Sequence, residues 1–505
     1  MGGAGESAVR GSSSGGLFAL LGKGVRRRPG VSVLTARGFT MVGVAIIGAG
    51  FAGICMAIRL RQGGIDDFTV YEKADELGGV WRDNTYPGAG CDIPSVLYSY
   101  SFAQRDDWSR VFPEQHEILR YLHDCAREFG IDGRIELGVE VRSAGWDEGT
   151  SAWHLETSRG PRTARALVSA VGQLNRPRYP DLPGLDSFAG TAFHSSRWRH
   201  DHDLTGRTVA VIGTGPSAVQ LVPRIAERVR RLYVFQRSAN WLVPKSDRAY
   251  GPTARRVFRI PAARLAARGA TYLRGETAVY WAVHGDPGAK LVETMARRHL
   301  ADQVAEPRLR ERLTPDFPIG CKRILISSDF YPTLTRDHVE LVTDLITEVL
   351  PTGPRTAVRD YAVDTLIHGT GFLATEFLRP MEITGRAGVR LHDVWRDGAA
   401  AHLGMTVPRF PNLFLLYGPG TNLGHNSIVY MIESQVAYVV RKLRGERVHE
   451  VTEAEFEADQ RELRANLAGT ALEANCTSWY KDANGRVTTN WPSHTYRYRL
   501  ATWLA

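Results

Sequence analysis

The order strand, glycine turn, helix, strand occurs twice in this chain and limits its fold more than any other feature. Residues 42–47 are a short apolar run, Gly48-Ala49-Gly50-Phe51-Ala52-Gly53 a glycine turn, residues 54–62 a helical pattern and Phe68–Glu72 a second strand-like run. Thr208–Ile212, Gly213-Thr214-Gly215-Pro216-Ser217-Ala218, residues 217–229 and Arg231–Phe235 repeat the order. Each copy reads as a βαβ unit, in which the turn aims backbone N–H groups and the positive end of a helix at a pyrophosphate. The expected fold class is α/β, with two Rossmann-like dinucleotide-binding domains.

The two copies differ where their second strands end. In the first, Gly48 makes the tight turn, Gly50 lets a phosphate approach, and Gly53 lets the helix pack on the strand, since a Cβ would intrude at each. Glu72 then ends the second strand, where a carboxylate accepts from ribose hydroxyls. In the second, Gly213, Thr214, Gly215, Ser217 and Ala218 form the turn, with Ala in the last place. The strand runs on into Gln236 and Arg237. An acid there would repel a 2′-phosphate, whereas a guanidinium pairs with it bidentately. The second copy is therefore expected to take NADPH in preference to NADH.

At 505 residues the chain has length for roughly three domain-sized units. The formal charge of +9 is concentrated at the start: residues 1–40 hold Arg10, Lys23, Arg26, Arg27, Arg28 and Arg37 against Glu6. What remains is too scattered for a nucleic-acid footprint, which needs a basic stripe on one folded face. Cys55, Cys91, Cys125, Cys321 and Cys476 show neither a C-x-x-C pair nor metal-ligand spacing, so the expectation is reduced thiols in a cytoplasmic protein with no bound metal. The missing dithiol also argues against a disulfide reductase, which likewise uses two dinucleotide folds.

Residues 1–40, rich in Gly, Ser and Arg, cannot bury enough apolar surface to order and are expected to be a disordered tail, with Met41 a second candidate start. The uncharged run 38–58 approaches the length of a membrane helix, but its glycines at 43, 48, 50 and 53 belong to the strand-to-helix turn, and no membrane span is expected. A Pro-rich stretch from Pro177 to Pro183 marks a boundary. Residues 41–180 and 364–505 are expected to form a discontinuous first domain, 181–250 and 318–363 the second, and 251–317 an Arg- and Ala-rich helical insertion broken by Pro261 and Pro287.

Several further segments carry a family resemblance. Gly78-Gly79-Val80-Trp81 and Asn84-Thr85-Tyr86-Pro87-Gly88-Ala89-Gly90-Cys91-Asp92 resemble the flavin-proximal segment of flavin-containing and Baeyer–Villiger monooxygenases. Phe188-Ala189-Gly190-Thr191-Ala192-Phe193-His194-Ser195-Ser196-Arg197-Trp198 resembles the F-x-G-x-x-x-H-x-x-x-W signature of the Baeyer–Villiger family, in which Trp198 separates it from flavin-containing monooxygenases. Gly320-Cys321-Lys322-Arg323, residues 364–372, residues 410–414 with Gly418-Pro419-Gly420, and Ser478-Trp479-Tyr480 extend the match to almost everything beyond the tail. Gly90, where Arg is usual, Arg199, where Pro or Asp is usual, and Gly369, where Ala is usual, depart from it.

The resemblance implies FAD at the first turn, with Gly79, Trp81, Asp92 and Tyr98 near the flavin, and Lys322 joining Arg237 on the 2′-phosphate. It implies that Arg323, oriented by Asp92, stabilises an anionic C4a-peroxyflavin that attacks a carbonyl, and that Trp479 lines the nicotinamide and substrate site. The expected reaction turns a ketone or aldehyde, with O2 and NADPH, into an ester or lactone. Phe188, Gly190, His194 and Trp198 are expected to set the angle between the domains, His194 by hydrogen bonding backbone rather than by moving a proton. The alternatives are N- or S-oxygenation on the same frame and a non-oxygenating NADPH oxidase. Neither substrate identity nor oligomeric state follows from the sequence.

Overall fold

The computed structural model describes residues 41–281, 286–445 and 448–505; the expected disorder of residues 1–40 lies outside them. The chain opens with strands β1 (Met41–Ile47), β2 (Phe68–Glu72), β3 (Ile135–Leu137), β4 (Val141–Asp147), β5 (Ala152–Thr157) and β6 (Gly160–Ser169). In the first sheet β1 lies between β2 and β6, parallel to both, while β4, β5 and β6 form an antiparallel meander. The helix Phe51–Gln62 buries nine of its twelve residues, so it is apolar almost all round. It packs between this sheet and the long helix Ile428–Gly445.

A second sheet follows, with β7 (Thr191–His194), β8 (Thr208–Ile212) and β9 (Arg231–Phe235). Strands β10 (Leu242–Val243) and β11 (Leu325–Ile326) pair separately, β12 (Val339–Val342) joins β9, and β13 (Ile346–Leu350) and β14 (Gly353–Thr356) form a hairpin. Strand β15 (Thr365–His368) then inserts between β8 and β7, parallel to both, giving the order β12-β9-β8-β15-β7. This corrects the expected boundary at residue 364. Residues 365–368 are fully buried on both faces in the second sheet, and the chain leaves that sheet only after His368. It returns to the first sheet with β16 (Glu382–Thr384) beside β4 and β17 (Leu413–Leu415) beside β6.

Two passes of the chain join the sheets, and they are zipped to each other. Pro177 and Phe372 form an antiparallel bridge. Arg178 N donates to Gly371 O at 2.9 Å and Leu373 N to Arg176 O at 3.0 Å.

Between β10 and β11 the chain is helical: Pro252–Phe258, Pro261–Arg274, Asp286–Gln303 and Pro307–Arg312. Three of these begin on a proline in the first turn, where a missing N–H costs nothing. Pro261 therefore starts a helix as well as ending the previous one. Arg268, buried, reaches out of this insertion to the first unit, donating to the carbonyls of Val96, Leu97 and Ser99 at 3.1, 3.2 and 2.9 Å. Among the described residues no helix is long and apolar enough to cross a membrane.

Candidate active site

The glycine turns are built as their spacing demands. Gly48 (φ +101°) and Gly213 (φ +107°) occupy backbone conformations that L side chains rarely adopt. A Cβ on Gly53 would lie 1.8 Å from Gly48 O, so this glycine brings the helix against the turn. Gly50 and Gly215 differ in kind. A Cβ on Gly215 would meet nothing within 4 Å, and one on Gly50 nothing nearer than Gly79 Cα at 3.7 Å. Both therefore project into open space, and both line one cavity of about 1690 Å³. A single drug-sized ligand needs roughly 300–1,000 Å³, so this volume, lined by two phosphate cradles, suits two dinucleotides.

Around the first cradle, Glu72 is buried and accepts from Ala49 N at 2.8 Å, Ala74 N at 3.1 Å and Arg82 Nη1 at 3.0 Å. The carboxylate thus braces the turn, and it also lines the cavity. Trp81 Nε1 donates to Tyr98 OH at 3.1 Å, with the rings edge to face at 5.7 Å. Burial pushes the Tyr98 phenol well up, so it is neutral. A Cβ at Gly90 would come within 3.2 Å of Pro113 O, and this tight approach accompanies the departure from the family's Arg.

Around the second cradle, Thr214 O accepts from Asn240 Nδ2 at 2.8 Å, and Ala218 and Ser217 begin the helix Pro216–Ile225. Lys322 Nζ donates to Ser238 Oγ at 2.9 Å and lies 4.1 Å from the centre of the Phe317 ring. Its pKa is held down by burial and by Arg237 nearby. Arg237 itself is exposed and, among the described residues, makes no ion pair. Two cations close enough to repel, beside a phosphate cradle with no acid at the strand end, suit a polyanion.

Arg323 and Asp92 meet on the wall of the same cavity: Arg323 Nη2 donates to Asp92 Oδ2 at 3.2 Å. The arginine side chain keeps 30% of its exposure, toward the cavity, and that of Asp92 16%. Burial works against the guanidinium's charge, but Asp92 outweighs it and raises the pKa above the ordinary value. Gln220, on the second unit's helix, holds the other side of this contact, donating to Gly90 O at 3.0 Å and Asp92 Oδ1 at 3.4 Å while accepting from Tyr86 OH at 2.8 Å. No sequence signal marked Gln220, since it lies outside both turns. Tyr417 (φ +58°) also lines the cavity, its OH donating to Asn422 Oδ1 at 2.7 Å, and the buried Tyr480 faces Arg323. Trp479 lines the cavity, half-buried beside Tyr480.

Phe188, Gly190, His194 and Trp198 stand away from the cavity. A Cβ on Gly190 would lie 2.5 Å from the Phe188 ring and 2.6 Å from Asp364 O. His194 is fully buried: its Nδ1 accepts from Ser196 N at 3.1 Å, which leaves Nε2 to donate to Gly371 O at 3.0 Å, on one of the two passes between the sheets. Desolvation lowers its pKa to about 4. Trp198 packs edge to face on Phe193 at 5.2 Å. Arg199, off the family pattern, forms an exposed fork with Asp201 at 2.8 and 2.7 Å and asks nothing of the core.

The cysteines overturn one expectation. Cys321 and Cys476 form a disulfide, 155 residues apart in sequence, with Cα atoms 6.4 Å apart. Long-range pairing of this kind leaves no spacing signal, so a reading built on short motifs misses it. Cys55, Cys91 and Cys125 are free and buried. Among the described residues no cluster of His, Cys, Asp or Glu is arranged to hold a metal ion.

Two phosphate cradles on one cavity, with a half-buried arginine–carboxylate pair on its wall, define a two-dinucleotide oxidoreductase. A family model for pyridine nucleotide-disulphide oxidoreductases matches residues 45–260. A Baeyer–Villiger monooxygenase of Pseudomonas aeruginosa is 43% identical over 469 residues, 91% of this chain and 89% of that one. A second, of Streptomyces coelicolor, is 41% identical over 470 residues, 91% of each. Among solved structures, an oxidized steroid monooxygenase bound to NADP superposes with a TM-score of 0.83 at 32% identity, covering 92% of this chain and 97% of that one. OTEMO in complex with FAD and NADP gives 0.83 at 29%, with the same coverage. The chain belongs to the Baeyer–Villiger monooxygenase family.

Proposed function

We propose that the chain binds FAD at the Gly48–Gly53 turn and NADPH at the Gly213–Ala218 turn, and that with O2 it converts a ketone or aldehyde to an ester or lactone. The observation that carries this reading is the Arg323–Asp92 contact on the wall of the cavity that both cradles line. Bound flavin supplies the transfer of electrons from NADPH and the activation of O2.

The chain's own residues supply charge and geometry. Arg323 keeps its proton at any working pH, so it stabilises negative charge developing on a substrate oxygen without quenching it by proton transfer. Asp92 and Gln220 fix where that charge sits. Lys322 and Arg237 provide the cations for a 2′-phosphate, and Glu72 keeps the first turn in shape while its remaining lone pairs face the cavity. Trp81, Tyr98 and Trp479 give apolar walls that exclude water. His194, neutral and turned toward Gly371 O, positions one unit on the other and takes no part in proton transfer.

A panel of cyclic and linear ketones, aldehydes and thioethers, assayed for NADPH and O2 consumption with product identified by mass spectrometry, tests the proposal. Esters or lactones in proportion to NADPH are expected. Hydrogen peroxide alone with every carbonyl, or sulfoxides with no ester, would overturn it.

A further inference from the structure

The Cys321–Cys476 bridge joins two segments that the reaction needs at once. Cys321 directly precedes Lys322 and Arg323, and is itself fully buried among Trp241, Phe317 and Ile319. Cys476 lies three residues before Trp479, half-buried, on the cavity wall. From Ala474 to His494 the chain contains neither helix nor strand. The far end of that stretch is anchored, because Gly420 N donates to Thr488 O at 2.9 Å, Asn422 N to Thr489 O at 2.8 Å and Trp491 N to Asn422 O at 2.9 Å. The near end, which carries Trp479, meets the arginine segment through the disulfide and through Ala474, packed on the same apolar cluster as Cys321, while Tyr480 O accepts from Thr488 N at 3.2 Å and Thr489 Oγ1 at 3.3 Å and so holds to the anchored end. Lys481 Nζ, donating to Ala474 O at 2.6 Å, closes the loop only on itself.

We propose that Cys321 and Cys476, as a disulfide, are positioning residues: the bridge clamps residues 474–481 over the Arg323 site, and its reduction releases them. The exchange is asymmetric. An external thiolate attacks the sulfur of Cys476, the half-buried partner on the cavity wall, the S–S bond breaks, and the Cys321 sulfur leaves and takes up a proton in its apolar surroundings. A second external thiol displaces Cys476 from the mixed disulfide, so the protein gains a dithiol and the reductant leaves as its own disulfide. Cys91 and Cys125 do not compete, because both are buried and burial pushes each thiol up to about 12.

The full-length holoenzyme, untreated or treated with dithiothreitol, is the test material. Alkylation followed by peptide mass spectrometry reads the bridge, limited trypsin digestion at Lys481 and Arg486 reads the clamp, and steady-state kinetics read the site. In the untreated enzyme both cysteines are expected to resist alkylation. After reduction both react, and cleavage at Lys481 and Arg486 speeds up roughly tenfold, as the open form of the segment becomes more populated. The KM for NADPH rises several-fold with a smaller change in kcat, and more NADPH is lost to hydrogen peroxide. Cys321→Ser and Cys476→Ser should reproduce this state and ignore the reductant; the wild-type comparison carries the test if either fails to fold. Alkylation of both cysteines in the untreated enzyme would remove the bridge from the proposal's foundation. Unchanged cleavage, KM and coupling after complete reduction would refute its positioning role.

Discussion

Asp92 accepts from Arg323 Nη2 at 3.2 Å with one carboxylate oxygen and from Gln220 Nε2 at 3.4 Å with the other. The acid belongs to the first dinucleotide unit and Gln220 to the second, so the contact that fixes the arginine forms only when the two units are seated together.

Removing the cation should therefore separate oxygenation from NADPH oxidation. Arg323→Ala is expected to lower the rate of ester formation by about 10²–10³, the loss seen when one preorganised charge donor is deleted. NADPH oxidation should continue, with hydrogen peroxide as the product. Gas chromatography of the ketone reaction beside a peroxide assay decides it: full lactone yield in this variant would sink the assignment of Arg323.

Cofactor choice should rest on the exposed guanidinium at the end of β9. Arg237→Gln is expected to raise the KM for NADPH about tenfold to a hundredfold, the equivalent of one charge-assisted contact. The KM for NADH should barely move. Equal losses for both nucleotides would mean that Arg237 does not read the 2′-phosphate.

The glycines of the first turn should fail in different ways. Gly53→Ala puts a Cβ 1.8 Å from Gly48 O, beyond the ~1–3 kcal/mol of ordinary overpacking, and should yield little folded protein. Gly50→Ala has 3.7 Å of clearance and should fold, yet purify with much less flavin. Absorbance at the flavin band against circular dichroism distinguishes the two, and a Gly50→Ala enzyme with a full flavin complement would contradict the cradle.

Acid should weaken the protein through two histidines that face each other in the second sheet. His194 and His368 are register partners on β7 and β15, both buried, and desolvation lowers each pKa to about 4 from an unfolded value of 6.5. Between those values the unfolded chain binds protons that the native one does not. Their stabilising effect is thus complete above pH 6.5 and is lost as pH falls toward 4, by an amount on the order of a few kcal/mol. Thermal melts from pH 7.5 to 4.5 should show the decline, and His368→Asn should flatten it. A melting temperature level across that window would rule the effect out.

Much of this architecture could be read in the sequence because it is local. A glycine turn, the strand before it and the helix after it occupy about twenty consecutive residues, and their shape is fixed by backbone geometry, so both turns were legible, with Arg237 beside the second; Lys322, distant in sequence, was pointed to only by the family resemblance. Contacts joining distant segments were not. Thr365–His368 is equally apolar whichever sheet it enters, and only its pairing with Thr208–Ile212 decides. Gln220 sits on an ordinary helix face, and its role comes from its contacts with Gly90 O and Asp92 Oδ1 across the two units, which touch closely enough that a Cβ on Gly88 would lie 2.6 Å from Gln220 O. The Cys321–Cys476 bridge escaped notice for the same reason.

The zipped passes through Pro177 and Phe372 give the molecule a mechanical property. A single strand between two bodies is a swivel, free to turn in every direction, but two strands hydrogen-bonded side by side resist shear and twist, and bend readily only across their common plane. With His194 fastened to Gly371 O on one of them, the joint between the two units favours bending about a single axis over twisting.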